Sequence, residues 1–286
     1  ETMYITPPEG VQEEDGVVYE VVRPLYGIPA SARALHFTLA RWFRERGFVQ
    51  AGFEESVFIR KPGGSYSSEI IVSSHIDDLL TACADEAVLQ QFKADFLTAF
   101  EGTDDGPAED YLGCEIIRDW TRGTIKLRQK GYIQRVLRAC GADNYVPVDT
   151  PLKPGKRLTV RDCPSFIDPT LQRRYRMILG FIGFMVQMTR PDLAFAYCEL
   201  SKFLSCPGQV HMTQAERCLA YIKGTIDYGI TYDRPKYPSK VNRLEAFVDS
   251  DYAADPDTRR SVTGYLIILN NGPVAWKSKR QSCVTL

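Results

Sequence analysis

The sequence predicts an α+β fold laid out in three stretches, and three observations carry that reading. Through the first half, helix-period and strand-period apolar patterns alternate, which puts packed helices on an antiparallel sheet rather than in a bundle or a sandwich. From Leu171 to Lys223 the pattern is mainly helical. After Leu244 three short strand-like runs open an incomplete second α/β domain, so boundaries are expected at 1–145, 146–240 and 241–286.

The first helix is marked by Leu35, Leu39, Trp42 and Phe43, one apolar stripe at helical spacing, with Gly47 placed to end it. Strand-like runs follow at Ser56–Arg60 and Glu69–Ser74. The second leads through His75-Ile76-Asp77-Asp78 into Leu79-Leu80-Thr81, a β-hairpin whose expected turn is the two aspartates. Asp85 is a natural N-cap for a helix that buries Val88, Leu89, Phe92, Phe96, Leu97 and Phe100. A second hairpin, Leu112–Arg118 with Thr124–Arg128, turns at Thr121-Arg122-Gly123, and a helix with Tyr132, Ile133, Val136 and Leu137 ends at Gly141. Prolines between Val146 and Pro169 mark a connector. The long helical stretch should break at Arg190-Pro191-Asp192 and near Cys206-Pro207-Gly208, giving three helices. Strands are expected at Leu244–Asp249, Val262–Leu269 and Pro273–Lys279, the last two joined by the tight-turn signal Asn270-Asn271-Gly272. These last strands should be less well packed than the first half.

The 286 residues are 44% hydrophobic and 25% charged, enough for real cores. With 35 Lys+Arg against 36 Asp+Glu the net charge is −1, so no global basic field advertises a nucleic-acid partner and any such partner must be held locally. The longest apolar run, Ile178–Val186, is about half the ~20 residues that a spanning helix needs and holds two glycines, so no membrane span is expected. The eight cysteines form no C-x-x-C pair and read as reduced, mostly buried thiols of an intracellular protein. The start, Glu1-Thr-Met-Tyr, lacks both an initiator Met and a signal-peptide pattern, as in a fragment or a processed product.

Acids stand where strand patterns end: Asp77 and Asp78, then Asp249 and Asp251, with Asp255 just beyond. Two-metal phosphoryl transfer needs carboxylates that converge from different strands, because each ion must be held on more than one side. Adjacent strand residues point to opposite faces, so Asp77 and Asp78 suffice only if the turn brings them together and another acid approaches. Paired aspartates are also ordinary turn chemistry, and Asp249 reads equally as a solvent-facing strand-end acid. Arg122, Lys126, Arg128, Lys130, Arg135 and Arg138 form a basic stretch, and Lys277, Lys279 and Arg280 another; each suits either a phosphate backbone or a solvated surface.

Leu25-Tyr26-Gly27-Ile28 with Ala30 and Ala32-Arg33-Ala34, then Phe58-Ile59, then His75-Ile76-Asp77-Asp78, resembles the reverse transcriptase of copia-type LTR retrotransposons. The resemblance runs on in order through Tyr111–Ile116, Val148–Leu152, Tyr175–Gly180, Thr189–Ala194 and Tyr221–Thr225. It extends through Asp249–Ala253, Arg260–Tyr265 and Trp276–Ser282, which resemble the opening strands of the family's RNase H domain.

What the resemblance implies is a palm and fingers, a helical thumb or connection, and the start of RNase H. It makes Asp77 and Asp78 polymerase metal ligands and Asp249 the first RNase H metal ligand, with Mg²⁺ as the cofactor and Mn²⁺ as a substitute. Leu25, Tyr26, Gly27 and Arg33 would line the nucleotide and template pocket, and His75, Arg128 and Lys130 would contact nucleic acid. Implied partners are an RNA template, a DNA primer, deoxynucleotides and the integrase, protease and capsid regions of a polyprotein. Implied locations are a cytoplasmic virus-like particle and the nucleus. The family's further palm Asp is expected on a strand upstream of Tyr4–Gly10 and its RNase H Glu on a helix downstream of Gln281, so this chain alone is expected to be inactive. His75 replaces a family Tyr, as a packed strand residue or as a group titrating near about pH 6.5 beside the primer. The competing reading is a non-catalytic, nucleic-acid-binding remnant of a decayed element.

Overall fold

The computed structural model describes residues 3–7, 10–11, 16–22, 27, 29–234, 243–269 and 271–284. The chain divides into two compact units, Glu1–Pro107 and Ala108–Leu286.

The first unit begins with the short pair β1 (Tyr4–Ile5) and β2 (Tyr19–Glu20). Helix α1 (Pro29–Glu45) follows, opened by proline, whose fixed φ suits a first turn. It buries Leu39, Ala40, Trp42 and Phe43 and is stopped by Gly47 at φ 75°, a left-handed conformation that favours glycine. Strands β3 (Val49–Ala51), β4 (Glu54–Arg60), β5 (Ile70–His75) and β6 (Asp78–Cys83) form an antiparallel sheet in that order. Helix α2 (Glu86–Ala99) then starts where the sequence places it, the Asp85 carboxylate accepting from Ala87 N at 2.9 Å and Val88 N at 3.3 Å.

One sheet face is covered. Phe58, Ile70 and Val72 are buried there with Trp42, Phe43, Phe48, Tyr66, Val88 and Phe92. The Phe43 and Phe58 rings stack 4.4 Å apart, and removal of each such ring from water contributes roughly 1.5–3 kcal/mol. The register Val57–Ser73–Leu80 and Ile59–Ile71–Ala82 defines the opposite face, which stays partly or fully open. His75, paired with Asp78, extends it.

The second unit opens with β7 (Asp110–Tyr111), β8 (Cys114–Asp119) and β9 (Thr124–Arg128), then α3 (Lys130–Cys140), ended by Gly141 at φ 66°. The connector carries one 3-10 turn, Val160–Asp162. Helices α4 (Pro169–Met188), α5 (Ala194–Ser201) and α6 (Gln209–Gly224) break at both expected places. Ile133, Tyr175, Ile178, Ile182, Leu200, Ala215, Leu219 and Ile222 are sealed between these helices. The break at Thr189–Leu193 is structural. Arg190 is fully buried, forks onto both Asp192 oxygens at 2.9 and 2.7 Å, and donates to the Thr225 carbonyl and hydroxyl at 3.2 and 2.7 Å.

Strand β10 (Gly229–Asp233) pairs with β9, so the sheet runs β10-β9-β8-β7. Strands β11 (Leu244–Ser250), β12 (Val262–Leu269) and β13 (Gly272–Arg280) form a separate antiparallel sheet. Its β13 side is docked: Trp276 Nε1 donates to the Val186 carbonyl at 2.6 Å, and the Tyr232 hydroxyl to the Pro273 carbonyl at 2.9 Å. Strand β11 is exposed at every residue except the half-buried Glu245, as expected of a less packed end.

Two expectations change, and the tight turn between β12 and β13 forms where the sequence places it. The hairpin turn is Ile76-Asp77, not the two aspartates, because Asp78 already pairs with His75. In the Asn-Asn-Gly signal Asn271 takes the positive φ of 71°, while Gly272 is needed because a Cβ there would collide with the Tyr232 ring; Asn270 lies outside the described residues. All eight cysteines are free thiols, but only Cys114, Cys140 and Cys218 are buried. No described helix is long and apolar enough to cross a membrane.

Candidate functional site

The β5–β6 hairpin presents its acids by geometry alone. His75–Asp78 is the last pair of the ladder, which leaves a two-residue loop with Ile76 first and Asp77 second. Ile76 adopts φ 55°. A β-branched side chain in this left-handed region is an outlier worth on the order of 1–3 kcal/mol of strain, of a kind that clusters at functional sites. The neighbouring folded strands hold it there, and the two acids follow at the tip, Asp77 in the loop and Asp78 on the first position of β6. Both are exposed, and neither carboxylate makes a hydrogen bond or ion pair with a described residue. Among the described residues β6 is an edge strand with its outer side unpaired.

His75 is exposed beside Asp78 on the open face of the sheet, so the packed reading does not hold. Arg33 is exposed on α1 with its guanidinium 5.4 Å from the Phe37 ring centroid. Gly27 is exposed at φ 89°, whereas Leu25 and Tyr26 lie outside the described residues.

In the second unit Asp249 stands on β11 opposite Gly264, which in turn faces Ser278. Small neighbours leave its exposed carboxylate open, and among the described residues its one hydrogen bond comes from Ser250 N at 2.8 Å. Its sequence neighbours differ. Asp251 accepts from Val262 N at 2.8 Å and holds the end of the strand pair. Asp255 is 3% exposed and accepts from Lys202 Nζ, Arg280, Thr258 N and Thr258 Oγ1. Burial raises its pKa, but the bonds from Lys202 and Thr258 outweigh this and hold the carboxyl well below the usual range.

Arg128 and Lys130 are tied into an ion-pair cluster. Arg128 Nε donates to Glu115 at 2.8 Å and its Nη1 to Asp227 at 2.8 Å, while Lys130 reaches the same Asp227 oxygen at 3.0 Å. Glu115 also accepts from Gly131 N at 2.8 Å. Burial raises the Glu115 pKa, but the Gly131 and Arg128 bonds win and leave it lowered. Arg135 and Arg138, exposed on α3, make no ion pair among the described residues. The sequence reading missed this cluster, because nothing local links positions 115, 128 and 227, and it missed the strained Ile76.

No group of three His, Cys, Asp or Glu side chains that could enclose a metal is found among the described residues. Comparison with known proteins gives a consistent picture. The family described as "Reverse transcriptase (RNA-dependent DNA polymerase)" matches residues 1–154. The chain is 30% identical over 291 residues to the retrovirus-related Pol polyprotein from transposon TNT 1-94 of Nicotiana tabacum, covering 100% of this chain and 21% of that protein. It is 29% identical to the Pol polyprotein from transposon RE1 of Arabidopsis thaliana, over 99% of this chain and 18% of that protein. A putative transposon Ty5-1 protein of Saccharomyces cerevisiae is 25% identical over 98% of this chain and 88% of its own length. The chain thus spans about a fifth of the plant polyproteins it matches. No solved structure matches it.

Proposed function

The chain belongs to the reverse transcriptase (RNA-dependent DNA polymerase) family, and from this premise we propose that Asp77 and Asp78 are carboxylates with which a Pol polyprotein carries out RNA-directed DNA synthesis. The observation that carries the reading is the pair of adjacent carboxylates, without a hydrogen bond or ion pair to any described residue, that a two-residue turn sets at the edge of a partly open sheet face. On this reading residues 1–145 are fingers and palm, 146–240 thumb or connection, and 241–286 the start of an RNase H domain in which Asp249 is a metal ligand. The partners are an RNA template, a DNA primer, deoxynucleotides and the other polyprotein regions, within a cytoplasmic particle and the nucleus.

The donor set fits Mg²⁺ or Mn²⁺. Hard divalent ions take oxygen ligands, and Mg²⁺ commonly binds through one or two carboxylates completed by substrate phosphates and water. A divalent ion bound there supplies neutralisation of phosphate charge and acidification of the primer 3′-hydroxyl. Asp77 and Asp78 would hold it. No described cation pairs with them, which leaves both carboxylates for the ligand. The open face with Val57, Ile59, Ile71 and Leu80 offers an apolar platform beside them on which a primer–template end can rest, with His75 at its rim.

Primer extension on an RNA template by a polyprotein that includes this segment tests the reading. Asp77→Asn and Asp78→Asn should each lower incorporation by roughly 10²–10⁴-fold, the rate equivalent of several kcal/mol of charge stabilisation, with template binding unchanged. Asp249→Asn should abolish hybrid RNA cleavage and spare synthesis. Synthesis indifferent to Asp77 and Asp78 would refute the assignment. Salt-sensitive template binding without synthesis would support the non-catalytic remnant instead.

A further inference from the structure

Two cysteines in the second unit meet in a way that the polymerase chemistry does not use. Cys163 caps the 3-10 turn Val160–Asp162, and Cys206 directly precedes Pro207-Gly208 at the start of α6. The Cys163 thiol donates to Cys206 Sγ across 2.7 Å, although 43 positions separate them. It is the only contact between two cysteine sulfurs among the described residues. Both residues are half-buried.

The approach is built into the backbone around them. A Cβ at Gly208 would stand 2.6 Å from the Asp162 carbonyl oxygen and 3.2 Å from Pro164 Cδ, so glycine lets the two segments touch. The Gly208 N–H donates to His211 Nδ1 at 2.9 Å, and the buried His211 ring stacks on Phe203 with centroids 4.0 Å apart. The sulfurs are therefore held by packed elements on both sides.

We infer that Cys163 and Cys206 form a reversible disulfide that ties the segment before α4 to the α5–α6 junction. The oxidant is a low-molecular-weight disulfide such as glutathione disulfide. A protein thiolate attacks one sulfur of the oxidant, breaking its S–S bond and releasing one glutathione. The second protein thiolate attacks the mixed disulfide, forms the Cys163–Cys206 bond and expels the second glutathione. Two electrons and two protons leave the protein thiols and appear as two molecules of reduced glutathione. Burial and the hydrogen bond to Cys206 push the Cys163 thiol up to about 12, so attack awaits its deprotonation. The bond closes a covalent loop around α4 and α5, which restricts the unfolded chain.

The 286-residue chain is equilibrated at graded ratios of oxidised to reduced glutathione, alkylated with N-ethylmaleimide, digested without reduction and mapped by mass spectrometry. A Cys163–Cys206 linked peptide should replace both alkylated peptides as the ratio rises and should disappear with dithiothreitol. Oxidation should raise Tm by roughly 5–10 °C, a rise absent from Cys163→Ser and Cys206→Ser. In Cys163→Ser, Cys206 should stop at the glutathione adduct. Independent alkylation of both residues at every ratio, or preferential links to other cysteines, would overturn the inference. The mapping uses the unmodified sequence, so a variant that fails to fold leaves the test intact.

Discussion

Asp255 and Asp249 look alike in the sequence, yet the structure gives them opposite consequences when they are changed to asparagine. Asp255 is 2% exposed at its side chain, and one oxygen faces Lys202 at 2.8 Å and Arg280 at 3.3 Å while the other takes Thr258 N and Oγ1, each at 2.8 Å. An amide there retains one acceptor but aims N–H donors at two cations. Breaking a buried pair costs about 3–5 kcal/mol, and the loss falls at the lower end because Glu199 keeps Lys202 paired at 2.6 Å. We expect Asp255→Asn to cost about 3 kcal/mol and to lower the urea midpoint by roughly 1–2 M. Asp249→Asn, exposed and bonded among the described residues only to its neighbour's N–H, should stay within about 0.5 kcal/mol. Urea unfolding followed by the fluorescence of Trp276, which is docked on Val186, reads the second unit once Trp42 and Trp120 are replaced by Phe. Because the folded Asp255 pKa is depressed, its contribution is complete above the unfolded carboxylate value of about 4 and is lost as the pH falls through the acid range below it. The difference between wild type and Asp255→Asn must therefore shrink on acidification. A loss under 1 kcal/mol, a difference that does not shrink, or an equal loss in Asp249→Asn would refute the structural role of Asp255.

Two further outcomes follow from the turn and the ion-pair cluster. Ile76→Asn places a residue that tolerates φ 55° at the hairpin tip and should stabilise the first unit by about 0.5–1 kcal/mol in thermal unfolding; destabilisation would mean that the tip is not strained. Arg128→Gln should cost about 1–2 kcal/mol through the Glu115 bond it removes, while the salt dependence of template binding stays unchanged. A flatter salt dependence with unaltered stability would show Arg128 to be a phosphate contact.

Elements whose signals are local were legible in the sequence. The stripe of α2 and its Asp85 cap, the glycine stops at 47 and 141, and both breaks in the helical stretch are decided within a few residues of each other, so periodicity and capping chemistry suffice. Strand β10 was not legible, because Gly229–Asp233 is short and pairs with a strand a hundred positions earlier. The hairpin tip was displaced by one residue for a related reason: two aspartates suit a turn better than an isoleucine does, and tertiary structure overrode that preference. Charge was the least legible property. A run of arginines and lysines reads as a basic surface until Glu115 and Asp227 arrive from elsewhere, and three acids near residue 250 read alike until only Asp249 is left without cation or strand-end duties.

The docking of the small sheet through β13 has a kinetic corollary. Among the described residues strand β11 pairs only with β12 and forms the outer edge of that sheet, so it is the first strand free to peel away. Amides of β11 should exchange with solvent fastest in that sheet, and limited proteolysis should cut there before it reaches β13. The sheet thus loosens from its outer edge inward, and Asp249 stands on the strand that opens first.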